Sequence, residues 1–240
     1  KGRMQEIDVL VAAAEYALTP KTLQNKHVLI TAGPTQEAID PVRYITNAST
    51  GKMGYALVRA CLNRGAEVTL VSGPTQLSLK AWQAFCPLNV MDVVSSAEMC
   101  DATVKAFEQA DIAILCAAVA DFTPCNTADK KIKKQPGQTD MTIELKTTTD
   151  IAATLGKMKG NAKKLVGFAL ETHDEQANAE RKLQSKNLDM IVLNSLQDKG
   201  AGFGVDTNKV TILYANGTKK DLPLLMKQEV ADAIIDSICY

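Results

Sequence analysis

Asp40, Arg43, Asn47, Ser49, Thr50 and Lys52 lie in one polar stretch, GPTQEAIDPVRYITNASTGKMG, at 33–54. Its last residues, STGKMG, open onto a helical pattern. The first N–H groups of a helix have no partner inside it, which makes this a place to hold an anion. A second cationic group, Lys130, Lys131, Lys133 and Lys134, stands in DKKIKK. Such a run is either a solvated loop or a set of ammonium groups that neutralises a polyphosphate and stabilises charge at a transferring phosphorus. Lys182 and Lys186 are four residues apart and share one face of a helix, with Arg181 beside them. That spacing alone describes a solvating helix surface as readily as a phosphate contact.

These groups need a scaffold that brings them together. Apolar runs at 27–32, 66–73, 111–120, 164–171 and 189–195 alternate with helical patterns at 52–64, 96–109, 150–158 and 174–186. Nearly continuous hydrophobicity marks strands buried on both faces, so the alternation predicts an α/β fold, a Rossmann-like doubly wound, mostly parallel sheet. VTILYANGTKKDLPL predicts a β-hairpin turned at Asn216-Gly217, with a C-terminal helix over 224–238 behind it. Ligands of such sheets bind outside the carboxyl ends of the strands, so 33–54, 117–121 and 168–172 are expected to meet. A strand-to-helix connection as long as 33–54 is more than a link. TAGPTQ (31–36) and VSGPTQ (71–76) repeat one turn chemistry at neighbouring strand ends, where Gly-Pro stops the strand. The stretch 122–138, FTPCNTADKKIKKQPGQ, reads as a mobile loop.

Composition narrows the classes. The 240 residues divide into 1–26, a linker with an N-terminal helix, and 27–240, a single large domain. Basic and acidic residues balance at 27 each, so no global field points to nucleic acid or a membrane surface, and any anion site arises from local clustering. Six cysteines without a CxxC pair read as reduced core residues of a cytoplasmic protein. VLVAAAEYAL carries Glu15 and follows Glu6 and Asp8, so it reads as an ordinary helix, and no apolar run reaches membrane length. A nicotinamide site needs G-x-G-x-x-G after the first strand and an acidic residue after the second; the chain has AGPTQEA and Ser72-Gly73 there, and no Tyr-x-x-x-Lys dyad. STGKMG also lacks the first glycine and the spacing of a Walker A loop.

The ordered set ITAGPT, DPVRYITNASTGKMG, LVSGPT, CAAVADF, KIKK, GFALET and KNLDMIVLN resembles the phosphopantothenoylcysteine synthetase domain of bacterial coenzyme A biosynthesis. In many bacteria that domain follows a flavin-dependent decarboxylase within one bifunctional protein. The opening GRM resembles the end of that half, so the expectation is a fused decarboxylase ahead of this chain, with FMN bound only there. The resemblance implies a ligase. The carboxylate of 4′-phosphopantothenate attacks the α-phosphorus of CTP, giving an acyl-cytidylate and pyrophosphate, and the amine of L-cysteine then displaces CMP. Both substitutions demand positioning and charge stabilisation rather than an acid–base histidine, which suits a chain with only His27 and His173.

Carried over residue by residue, the resemblance implies that Asn47 serves the acyl-cytidylate and that Arg43 and Ala118 meet the acyl substrate. The backbone of Leu115, Cys116 and Ala117, together with Asp121, is implied to line the nucleotide pocket, and Lys131 to be needed for cytidylate formation. Thr149, Asp150, Ile151 and Ala152 match a short CTP-contacting segment, although the family pattern there is Pro-Asp-Ile-Val. Phe168 is implied to pack on the nucleotide, and Lys182 and Lys186 to reach it. Plainer readings stand beside these: a capping Asn47, Arg43 as a structural tie to Asp40, an N-cap at Asp150, a core aromatic at Phe168. Mg²⁺ or Mn²⁺ is expected with CTP, without an assigned ligand set, and a homodimer is expected by analogy. The alternatives are a nicotinamide-dependent Rossmann reductase, which lacks its fingerprint, and a non-catalytic nucleotide-binding domain, which is expected to have lost Asn47 or Lys131.

Overall fold

Alternate residues of the first apolar run face opposite ways, and each way finds a separate core. The computed structural model describes residues 3–171, 174–195, 202 and 204–239. In chain order the elements are α1 (Ile7–Leu18), β1 (His27–Ala32), β2 (Gln36–Ala38), β3 (Tyr44–Thr46), α2 (Lys52–Asn63), β4 (Glu67–Ser72), α3 (Lys80–Gln83), β5 (Leu88–Asp92), α4 (Ser96–Phe107), β6 (Ile112–Leu115), β7 (Phe122–Pro124) and β8 (Leu145–Thr147). They continue with α5 (Ile151–Met158), β9 (Lys164–Glu171), α6 (Glu175–Ser185), β10 (Met190–Ser195), β11 (Thr207–Asn208), β12 (Val210–Tyr214), β13 (Lys219–Asp221), β14 (Leu225–Met226) and α7 (Lys227–Cys239). Val28 and Ile30 pack with Leu57, Cys61 and Ile234 of α2 and α7, whereas Leu29 packs with Met99, Leu155 and Leu183 of α4, α5 and α6. Burying one such leucine or isoleucine contributes about 1.5–3 kcal/mol, so the two layers hold the sheet from both sides.

The main sheet runs β13-β12-β10-β9-β6-β1-β4-β5. From β5 to β10 every pairing is parallel, and β12 and β13 add an antiparallel hairpin at the far edge. This is the doubly wound, mostly parallel α/β sheet that the alternation predicts, with its C-terminal hairpin and helix. Strand order reverses between β1 and β6, which is where such sheets open a ligand crevice. Among the described residues no helix is long and apolar enough to cross a membrane.

Several boundaries differ from the sequence expectation, each for a physical reason. The run 111–120 leaves the regular ladder after Leu115: Cys116 N–H still bonds to the Thr31 carbonyl of β1, but Ala117 and Ala120 turn to the hydroxyls of Thr31 and Thr35, and a lone Pro34–Ala118 bridge is what continues the pairing. The expected helix over 224–238 begins at Lys227, since Leu225 and Met226 pair with Asn208 and Thr207. The edge strand β5 escapes the apolar pattern: its residues are half-buried or exposed, and Asn89 and Asp92 interrupt it. Among the described cysteines none forms a disulfide; Cys61, Cys86 and Cys100 are buried, while the side chain of Cys239 lies outside the described residues.

The repeated Gly-Pro-Thr-Gln has a structural explanation. β1 and β4 are parallel neighbours, the Gly73 N–H donates to the Ala32 carbonyl at 2.9 Å, and the two turns pack against each other. A Cβ at position 73 would lie 1.8 Å from the Pro34 carbonyl oxygen, so only glycine lets the turns touch. Gly73→Ala is therefore expected to cost about 2 kcal/mol or more by urea unfolding, whereas Gly160→Ala, at a site with open space, is expected to stay within about 0.5 kcal/mol.

Candidate functional site

The crevice at the strand-order reversal holds a cavity of about 620 Å³, within the usual size of a small-molecule site. The segments predicted to converge do so: the cavity is lined from 47–54, from 115–122 and from 167–170, with 147–152 closing a further side. Thr172 lies outside the described residues.

The first wall is built by the end of β1 and the turn that follows it. Its Thr31 carbonyl accepts from Cys116 N–H (3.2 Å), Thr31 Oγ1 from Ala117 N–H (3.2 Å), the Gly33 carbonyl from Ala118 N–H (2.9 Å) and Thr35 Oγ1 from Ala120 N–H (2.9 Å). Asn47 completes the seam: its Nδ2 donates to the carbonyls of Ala118 (3.0 Å) and Val119 (3.2 Å). The insert between β1 and α2 is itself a small hairpin, β2 with β3, anchored behind by buried Glu37, which accepts from Ser96 N–H and Oγ. Ser49, Thr50, Gly51 and Lys52 lie on the cavity at the start of α2, whose N-cap is Gly51 without a side-chain cap.

The second wall carries the residues that the resemblance assigns to a nucleotide. Leu115, Cys116, Ala117, Asp121, Thr149, Asp150, Ile151, Ala152, Phe168, Lys182 and Lys186 all line the cavity, as does Ala118, assigned to the acyl substrate. Asp150 caps α5, accepting from Ala153 N–H at 2.9 Å, and also meets Lys186 Nζ at 2.8 Å. Burial pushes its carboxyl up, but Lys186 and the N–H groups outweigh this and leave it below the usual range. Lys182 contacts Glu171 at 2.6 Å. Phe168 packs against the core under α2 and α7 and also lines the cavity, so the core-aromatic reading holds at a position open to it. Burial pushes the Cys116 thiol up to about 12, with Lys227 opposing, which makes it a neutral lining group at physiological pH. His27 sits at the opposite end of β1, against the Gln109 carbonyl and Thr69 Oγ1, and takes no part.

Comparison with known proteins places this architecture. The family described as DNA/pantothenate metabolism flavoprotein C-terminal domain matches residues 23–240. The chain belongs to that family. It is 53% identical over 243 residues to a cysteine/cysteine sulfinic acid decarboxylase of an unknown prokaryotic organism, covering 99% of this chain and 66% of that protein. It is 49% identical over 242 residues to the coenzyme A biosynthesis bifunctional protein CoaBC of Bacillus subtilis (strain 168), covering 99% of this chain and 58% of that protein. The chain thus spans about three-fifths of the length of these relatives. The crystal structure of the C-terminal domain of a coenzyme A biosynthesis bifunctional protein CoaBC matches with a TM-score of 0.74 at 40% identity, covering 91% of this chain and 96% of that one.

Two residues singled out in this DNA/pantothenate metabolism flavoprotein C-terminal domain are not brought to the cavity. Arg43 spends its guanidinium on Asp40, through Nε at 3.0 Å and Nη2 at 2.5 Å, and on the Ile132 carbonyl at 2.9 Å. The structural tie to Asp40 is thus the reading its geometry realises. Lys131 is exposed on the 122–138 stretch and does not line the cavity. That stretch is not loose throughout: Ile132 N–H donates to Asp40 at 3.1 Å, Ala128 N–H to the Ile39 carbonyl at 3.0 Å and Thr127 Oγ1 to the Ala38 carbonyl at 3.1 Å. Other lining residues carry no signal in a linear pattern: Asn194, Gly202, Asn208 and Lys227 arrive from the last third of the chain. Lys52 was visible in the insert but without a partner; the structure pairs it with Asp206.

Arg43, aided by three backbone N–H groups and opposed by burial, holds the Asp40 carboxyl well below the usual carboxylate range. A depressed carboxylate stabilises the fold fully above its unfolded value and loses that contribution as pH falls through the folded one. Asp40→Asn is expected to speed amide exchange at Ile132 at least 10-fold at neutral pH. The stability gap between wild type and variant, followed by thermal unfolding, is expected to close as pH drops below 3.8, the ordinary carboxylate value.

Proposed function

We propose that the chain is a CTP-dependent phosphopantothenate–cysteine ligase domain acting in coenzyme A biosynthesis. The observation that carries this reading is the single cavity that gathers Asn47, the backbone after β6, the α5 cap and the Lys182/Lys186 pair at the strand-order reversal. Family membership and the likeness to CoaBC proteins support it. Lys182 and Lys186 line the cavity together with Asp121 and Asp150, so an electrically balanced chain places two ammonium groups where phosphates would sit.

In the first step the 4′-phosphopantothenate carboxylate attacks the α-phosphorus of CTP, a P–O bond forms and pyrophosphate leaves. The 115–117 backbone, Asp121, the 149–152 segment and Phe168 hold the nucleotide. Lys182 and Lys186 exchange Glu171 and Asp150 for the triphosphate. Lys131 neutralises charge developing at phosphorus when the 122–138 loop closes about its attachment to Asp40. In the second step the cysteine amine attacks the acyl carbon and CMP leaves, with Asn47 and the Ala118 backbone orienting the acyl group. Arg43 serves by anchoring the loop rather than by touching substrate.

Mg²⁺ or Mn²⁺ accompanies CTP in this reading and supplies neutralisation of phosphate oxygens. Among the described residues no three His, Cys, Asp or Glu side chains cluster as a metal site, so the fit is to an ion carried by phosphate and water. A homodimer, a decarboxylase half with FMN in a longer polypeptide, and a cytoplasmic location belong to the same proposal.

Incubation with CTP, 4′-phosphopantothenate, L-cysteine and Mg²⁺ is expected to release pyrophosphate and to yield the cysteine conjugate. A chain that makes no such product, or whose NAD(P)H fluorescence changes on mixing, contradicts the assignment. Lys131→Gln is expected to reduce acyl-cytidylate formation at least 100-fold. Asn47→Asp is expected to let the intermediate form and to slow its consumption by cysteine, which a rapid-quench assay of the intermediate reads directly.

A further inference from the structure

The cavity has a third side that neither the acyl nor the nucleotide assignment uses, and it is held by two lysines. Lys227 opens α7 and is 7% exposed, yet its Nζ donates to the carbonyls of Gly202 (3.0 Å) and Val205, while its N–H donates to the Asp206 carbonyl at 2.8 Å. From the start of α2, Lys52 Nζ donates to the Gly204 carbonyl at 3.1 Å and to Asp206 Oδ1 at 2.7 Å. Gly202 and Gly204 have φ of +105° and +76°, a left-handed backbone that glycine adopts without strain. Four carbonyls and a carboxylate of one irregular stretch are thus satisfied by the first residues of two helices, and α2 and α7 are tied together by Arg64 with Asp232 and Asp236. Gly202, Lys52, Lys227, Asn208 and Asn194 all face the cavity. Asn194 Oδ1 is buried there without a hydrogen-bond partner.

Among the described residues, Gly202 and 204–206 belong to no strand or helix, and β11 and β14 form a two-residue ribbon beside them, so the ammonium groups satisfy carbonyls that no ladder takes up. Lys227 is desolvated and feels Lys52, which together pull it below the usual lysine range against Asp206 and Cys116. A buried ammonium kept under that penalty, beside a second one, is a costly way to make an ordinary surface turn. It is a reasonable way to hold an irregular wall rigid against a ligand.

We propose that Lys227 and Lys52 are positioning residues that clamp the backbone at Gly202 and 204–206, and so hold Gly202 in place on the third side of the cavity, lowering the KM for the phosphate-bearing substrates rather than raising kcat. The kinetic part rests on the ligase reading; the clamp itself does not. Apart from the two lysines, the described lining residues of this side are Gly202, Asn194 and Asn208, which carry no acid or base, so its loss weakens binding more than chemistry.

The test is Lys227→Met in the whole chain, with Lys52→Met as the second variant should the first fail to fold. Hydrogen exchange of peptides covering 204–208 is expected to quicken at least 10-fold. The KM for CTP or for 4′-phosphopantothenate is expected to rise at least 10-fold with kcat within about 3-fold of wild type, a split that general loss of stability does not produce. Which of the two KM values moves identifies the substrate that meets the wall. Added propylammonium is expected to restore binding to Lys227→Ala. Unchanged exchange, or a fall in kcat at constant KM, overturns the proposal. If the wild-type protein makes no product, the ligase reading falls, and exchange in the variant decides the clamp alone.

Discussion

The N–H groups of Cys116, Ala117, Ala118 and Ala120 bond to Thr31, Gly33 and Thr35, and the rest of the site hangs on that choice. A strand that had continued its ladder past Leu115 would have filled the crevice with regular sheet. Instead the chain peels away where strand order reverses, and its backbone becomes a lining. Each such bond contributes only about 1 kcal/mol net, but leaving a buried N–H unpaired costs about 1–3 kcal/mol, so the set acts together. Glycines at the same place let the turns after β1 and β4 touch, which fixes where the insert starts.

From that seam two layers of support extend outward. The hairpin β2–β3 is fastened behind by Glu37 on the start of α4 and in front by Asp40, whose carboxylate collects Arg43 and the Ile132 N–H. The lysine-bearing loop is therefore coupled to the same insert that carries Asn47. On the other side, every cavity lysine is already answered: Lys182 by Glu171, Lys186 by Asp150, Lys52 by Asp206, and Lys227 by carbonyls. Each of these lysines is held by a partner within the fold, so its geometry is set before any ligand arrives.

Much of this was legible in linear pattern, and the exceptions are instructive. Continuous apolar runs identified β1, β4, β6, β9 and β10 because strands buried on both faces need them. β5 was missed because an edge strand is free to carry Asn89 and Asp92. The cap at Asp150 and the helix face shared by Lys182 and Lys186 were readable because they are local, set by spacing of three or four residues. Arg43 was open between two readings, since a guanidinium suits a substrate carboxylate and an Asp40 carboxylate equally; only distance chooses between them.

The amino-acid sequence by itself determined the α/β class, the order of the five core strands and the helices between them, the turns at Gly-Pro and the family resemblance, because these depend on periodicity and on contiguous motifs. Only the tertiary structure decided that Asp206, Gly202 and Lys227 stand beside Lys52, that Ile132 leans on Asp40, and that the Gly73 N–H bonds to the Ala32 carbonyl. Those contacts join residues from tens of positions to more than a hundred apart. No local propensity encodes them, and they form only once hydrophobic burial has closed the sheet and brought its strand ends to one edge.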